Sequence, residues 1–137
     1  MIFAVDFDGT IVKHAFPDIG EPLPYAFQVL KGLVKLGHKL ILNTCREDHP
    51  TDMKKQYLSE AYAFCVKHGV YFRSVNENRL EDDFRDAKFL RRKVYAHNYI
   101  DDRNWPGGEP DWFKIGATFE IKLTPEEERW GNRENSQ

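Results

Sequence analysis

A chain of 137 residues, 41% hydrophobic and 31% charged, fits one globular domain that buries a core without cross-links. Its 20 basic and 22 acidic residues leave a formal charge of -2, so no electrostatic footprint argues for nucleic acid or an anionic membrane as partner. Cys45 and Cys65 are too few for a disulfide framework and show no zinc spacing; a reducing, cytoplasmic setting is expected. The apolar run Met1 to Val5 stops at Asp6, too early for a signal peptide, and no stretch approaches a membrane span.

In chain order, Ile2-Phe3-Ala4-Val5 reads as a strand buried on both faces. Pro24 to Leu36 reads as a helix, with Ala26, Val29, Leu30, Leu33 and Val34 at helical spacing and Gly37 placed for a left-handed C-terminal cap. Leu40-Ile41-Leu42 is a second buried strand. Thr51 is the expected N-cap of a second helix whose stripe is Tyr57, Leu58, Ala61, Phe64 and Cys65, closed by Gly69. Val70 to Val75 reads as a third strand and Asn98-Tyr99-Ile100 as a fourth. The polar segment Asn76 to Arg92 has room for one short helix. Phe113 to Leu123 is a strand or a helix, and Thr124-Pro125-Glu126 offers a start for a terminal helix. The alternation of strands and helices predicts an α/β domain over residues 1–123, three-layered and Rossmann-like around a mainly parallel sheet, with a polar tail over 124–137.

Three polar clusters follow three of these strands: Asp6 and Asp8, Thr44 and Arg46, Asp101 and Asp102. In an open parallel sheet, ligands bind beyond the carboxyl ends of the strands, so the three clusters are expected to converge. Four gathered carboxylates repel unless a cation neutralises them. A few hard oxygen ligands suit Mg2+, which keeps waters and bridges to phosphate. A carboxylate can also attack phosphorus to give an aspartyl-phosphate, provided positive charge surrounds the transferring oxygens.

Asp6-Phe7-Asp8-Gly9-Thr10 after an apolar strand resembles the DxDGT signature of the haloacid dehalogenase superfamily. Leu40 to Thr44 is similar to its second motif, and Tyr99-Ile100-Asp101-Asp102 to its fourth. The resemblance is nearest to small capless bacterial hydrolases, which share the style of Ile19-Gly20, Arg92-Lys93 and Ile100 to Asn104. It implies Asp6 as nucleophile and metal ligand, and Asp8 as acid/base with its backbone carbonyl on magnesium. It implies that Thr44 donates to phosphate, that Asp101 is the main acidic ligand of the last motif, and that Asp102 orients waters or a lysine. Lys93 is preferred as that lysine, with Lys88 as the alternative. Gly9, Thr10, His14 and Arg46 are the expected substrate-side residues. Trp105 and Trp112 flank the loop after the last motif, where either the pocket mouth or the core can use them.

About a dozen residues, Ile11 to Pro22, separate the first motif from its helix, a length that suits a flap rather than a cap domain. Ser74 to Asn98 is also too short and polar for a folded cap. The expected function is magnesium-dependent phosphomonoester hydrolysis of a phosphorylated substrate, with a homo-oligomer left open. The alternatives are a non-catalytic phospholigand-binding module on the same fold and phosphoryl transfer to an acceptor other than water. Dehalogenation ranks low, since Asp8 serves phosphoryl chemistry and is not needed to displace halide.

Overall fold

In the computed structural model, residues 1–78 and 93–126 are described. They form β1 (Ile2–Val5), α1 (Ala26–Lys35), β2 (Lys39–Leu42), α2 (Tyr57–Lys67), β3 (Ser74–Val75), β4 (Asn98–Ile100) and α3 (Trp112–Thr118). The four strands pair in parallel in the order β3-β2-β1-β4, an α/β arrangement compatible with a Rossmann-like fold. No described helix is long and apolar enough to cross a membrane.

Side chains alternate across a strand, and here both faces are apolar. Phe3, Val5, Leu40 and Leu42 enter the main core with Ala26, Val29, Leu30 and Leu33 of α1, Ala61 and Cys65 of α2, and Trp112 of α3. Ile2, Ala4 and Ile41 face the other way and pack with Val94 and Ala96. Each fully buried large aliphatic or aromatic side chain contributes about 1.5–3 kcal/mol. The three described helices all join the same core, so the second helical layer expected of a three-layered domain is not among the described residues.

Local chemistry explains where elements stop. At the end of α1 the Gly37 backbone takes φ 93°, with Gly37 N–H donating to Val34 O and His38 N–H to Leu33 O, both at 3.0 Å. This paired closure needs a left-handed residue at Gly37. Helix α1 starts later than the run from Pro24 predicts, because Tyr25 is left-handed at φ 65°. Val34, expected on the buried stripe, is 42% exposed.

Thr51 does not cap α2, which begins at Tyr57 behind Gln56. Asp48 supplies the acceptor instead, taking the Ser59 N–H at 2.9 Å and the Ser59 hydroxyl. Strand β3 is shorter than Val70 to Val75, although Arg73 N–H to Leu40 O and Asn76 N–H to Leu42 O extend its pairing on both sides.

The open choice over 113–123 resolves as a helix only as far as Thr118, capped by the Asp111 carboxylate, which accepts the Lys114 N–H at 3.1 Å. Thr124 to Glu126 forms no helix and is tied back to α1. Gln28 exchanges hydrogen bonds with Thr124, and Glu126 Oε1 accepts the Tyr25 N–H at 2.8 Å. The tail expected from residue 124 is therefore joined to the domain through Glu126. The expectations for residues 79–92, Lys88 included, and for 127–137 lie outside the described residues.

Candidate active site

Strand β1 is flanked by β2 on one side and by β4 on the other. The chain runs outward from β1 through β2 to β3, and then returns to the opposite side of β1 as β4. The strand order thus reverses between β1 and β4, and the crevice at the carboxyl ends of those two strands is where a parallel sheet binds ligands. The register pairs Val5 with Ile100, so the next residues, Asp6 and Asp101, emerge side by side. Asp6 N–H still donates to Ile100 O at 3.0 Å, which carries the pairing up to the edge of the crevice.

Beyond Asp6 the chain turns at once. Phe7 is fully buried in the main core, and Ile11 N–H returns to Phe7 O at 2.9 Å. Gly9 adopts φ 79°, and a Cβ there would collide with the Asp102 carboxylate and the His14 ring. Gly9 is thus required both by its backbone and by the close approach of the two loops.

Thr10 is completely buried. Its hydroxyl donates to Asp6 Oδ2 and accepts the Asp102 N–H, both at 3.0 Å. Its carbonyl accepts the indole N–H of Trp112 at 2.7 Å. Thr10 therefore ties the β1 loop to the β4 loop and does not face a substrate, contrary to the sequence expectation.

Asp6, Asp101 and Asp102 each offer an oxygen such that these atoms all lie within 4.8 Å of one another. Burial, then the charge of Asp101, pushes the Asp6 carboxyl up to about 7, against hydrogen bonds from the Phe7 amide and Thr10. Asp102 goes the other way. Burial raises it, but hydrogen bonds from His14, Asp6 and Asp101, with the charge of His14, outweigh burial and hold it below the usual carboxylate range. Its Oδ1 is buried with no hydrogen-bond partner among the described residues. A buried, unpartnered carboxylate oxygen beside two further carboxyls fits a divalent cation, which takes hard oxygen donors.

Asp8 does not join that group. Arg46 holds it in a two-pronged ion pair, Nε to Oδ2 at 2.7 Å and Nη2 to Oδ1 at 2.8 Å. The expectation that the Asp8 carboxylate gathers with the other three gives way here, because a buried guanidinium has taken both its oxygens.

Arg46 was expected to face substrate, yet it is only 2% exposed. Its remaining donors go to the carbonyls of Pro17 and Tyr57 at 3.3 Å and of Asp18 at 2.8 Å. A guanidinium has five N–H donors, so every one is used within the protein. Its carbon sits 5.1 Å from the ring centroids of both Phe7 and Phe16. His14, on the loop after the first motif, is half exposed and pairs through Nε2 with Asp102 Oδ2 at 3.0 Å.

A cleft of about 490 Å³ opens beside Asp101, lined by Asn43, Thr44, Asn76, Lys93 and Asn104 among others. Thr44 and Lys93 thus reach the same cleft as Asp101. The Thr44 hydroxyl accepts the Arg46 N–H at 3.1 Å, which leaves its own proton to donate. Lys93 Nζ lies 4.9 Å from the Tyr99 ring centroid. The three asparagines were missed from the sequence. A signal existed, since Asn43 and Asn76 directly follow β2 and β3, and Asn104 follows the β4 acidic pair. Asn76 Oδ1 accepts the Thr44 N–H at 2.8 Å and so steadies the β2 loop. Of the two tryptophans, Trp112 belongs to the core and Trp105 is 93% exposed.

No protein-family model matches this chain, and no curated protein does. Among solved structures, a conserved protein of Bacteroides thetaiotaomicron superposes with a TM-score of 0.71. It is 40% identical, over 90% of this chain and 93% of that one. The chain belongs to the family of that conserved protein. Likeness to the Bacteroides protein extends over nearly the full length of both chains. The relative is described as a conserved protein and brings no activity with it; the chemistry rests on the residues above.

Proposed function

We propose that this chain is a magnesium-dependent phosphohydrolase of the haloacid dehalogenase type, acting on a phosphomonoester through an aspartyl-phosphate on Asp6. One observation carries the reading. At the β1/β4 switch point, Asp6, Asp101 and Asp102 bring oxygens within 4.8 Å of one another, at the edge of a cleft that Thr44 and Lys93 also line. Asp8 stands two residues beyond Asp6 on the same turn. A phospholigand-binding module has no need of that second carboxylate.

Asp6, Asp101 and Asp102 would hold the magnesium, with the Asp8 carbonyl as a further ligand in keeping with the motif. The bound ion would neutralise the clustered carboxylates and offset charge on the phosphoryl oxygens. Asp6 attacks phosphorus as the leaving oxygen departs, and Asp8 supplies the proton where that oxygen needs one. Water then attacks phosphorus, its proton passing to Asp8, and the bonding pair returns to the Asp6 carboxylate. Thr44 and Lys93 bind phosphoryl oxygens from the cleft side.

The test is phosphate release from an aryl phosphate by the purified protein. Release in magnesium that stops on chelation and returns on adding the ion back supports the reading. Absence of release across a panel of phosphomonoesters in magnesium counts against it.

A further inference from the structure

The ion pair between Arg46 and Asp8 belongs to a larger construction. Arg46 enters the site from the loop after β2, and Asp8 from the loop after β1. The same guanidinium holds the carbonyls of Pro17 and Asp18, on the flap, and of Tyr57, the first residue of α2. The Phe7 and Phe16 rings flank it, the first from the core and the second from the flap. One buried cation therefore joins the second carboxylate of the motif, the flap and the start of a helix.

Resting on the phosphohydrolase reading, we propose that Arg46 is a positioning residue that aims Asp8 at the water which cleaves the aspartyl-phosphate, and that it makes this aim depend on the seating of the flap. A carboxylate offers about four lone pairs over two oxygens, and the fork takes one from each. The lone pairs that remain have a fixed direction. The water oxygen attacks phosphorus, the bond from phosphorus to Asp6 breaks with its electrons returning to the Asp6 carboxylate, and the water proton goes to Asp8. An Asp8 free to rotate meets that proton in fewer of its conformations. The same geometry argues against Arg46 as a phosphate clamp, since a guanidinium with five protein acceptors has no donor to spare.

Lysine cannot reproduce a planar fork, so Arg46→Lys is the informative variant. An aryl phosphate is the informative substrate, because its leaving group departs without an acid and only the water step calls on Asp8. We expect kcat to fall by roughly 10- to 100-fold, within the range of a general-base contribution, with KM falling alongside it so that kcat/KM stays within about threefold, because only the step after the aryl alcohol departs is slowed. A burst of aryl alcohol should precede the steady state, and acid-quenched protein should carry phosphate on Asp6 at a higher level than wild type. A lower kcat with no burst and no added phosphate on Asp6, or a large rise in KM alone, overturns the proposal and leaves the phosphohydrolase reading standing. A wild type that releases no aryl alcohol in magnesium removes both.

Should Arg46→Lys fail to fold, a crystal structure of the wild type with beryllium fluoride on Asp6 decides the matter. Nε and Nη2 are expected to stay on Asp8 near the 2.7 and 2.8 Å seen here. A guanidinium turned onto the fluoride, with Asp8 released, refutes the positioning role.

Discussion

The Thr10 hydroxyl donates at 3.0 Å to Oδ2 of Asp6, the carboxyl that clusters with those of Asp101 and Asp102. The Thr10 hydroxyl oxygen also accepts the Asp102 N–H, so one buried hydroxyl spans the two loops that meet at the β1/β4 switch point. Thr10→Val keeps the shape and removes both bonds. It leaves the Asp102 N–H without its acceptor, at a cost of about 1–3 kcal/mol. Chemical denaturation of Thr10→Val should show that loss, and Thr10→Ser should recover most of it. A Thr10→Val protein as stable as wild type would mean the bridge contributes nothing.

Asp6 makes the metal-free protein sensitive to pH in a defined direction. Its folded pKa of about 7 lies above the ordinary 3.8, so between these values the folded state holds a proton that the unfolded state has lost. Where the folded state binds more protons, stability falls as pH rises. The group therefore withdraws stability from about pH 4 up to about pH 7 and has no further effect above that. In chelator, urea unfolding should show this decline, and Asp6→Asn should flatten it. Magnesium should restore stability at neutral pH in the wild type and do so far less in the variant. A wild type that gains stability from pH 4 to 7, with a slope Asp6→Asn leaves unchanged, would contradict the assignment.

Gly9 tests whether the site fails before the fold does. A methyl group at this left-handed position meets the Asp102 carboxylate and the His14 ring. Gly9→Ala should push Asp102 away from Asp6 and Asp101, weakening magnesium binding by about tenfold or more, in line with losses on disturbing what orients metal ligands. Titration calorimetry with magnesium measures this. Affinity equal to wild type would show that Asp102 is not needed where it stands.

Trp112 illustrates support from a distance. Its ring is 1% exposed, and its indole N–H reaches the Thr10 carbonyl at 2.7 Å. Trp112→Phe leaves that carbonyl unpaired and opens a small void, for a loss of about 2 kcal/mol or more. Thermal unfolding should reveal it as a drop of several degrees, with magnesium affinity reduced as Thr10 loosens. An unchanged melting temperature would show that the indole bond contributes nothing to holding the loop.

Much of the fold was legible in the sequence because the signals were local. The apolar runs at β1 and β2 are short and uninterrupted, as strands buried on both faces must be, and Gly37 marked the end of α1. What escaped was decided at long range. Asp48 caps α2 from outside the helix, so no reading of the residues next to Tyr57 finds it. Arg46 reads as a substrate-side cation, and its burial depends on flap carbonyls almost 30 residues away in sequence. Thr10 was visible as part of a motif, but its two bonds depend on β4 arriving beside β1. The strand-end rule brought Asp6, Asp101 and Asp102 to one crevice; it had no means of showing that Asp8, two residues from Asp6, would be turned toward Arg46.

The most direct test is phosphate release in magnesium by Asp6→Asn set beside the wild type, with folding of both confirmed by their unfolding curves. Turnover by the wild type and a loss of at least about 1,000-fold in the variant is expected for a residue that bonds to phosphorus. Equal turnover by the two proteins would contradict Asp6 as the nucleophile.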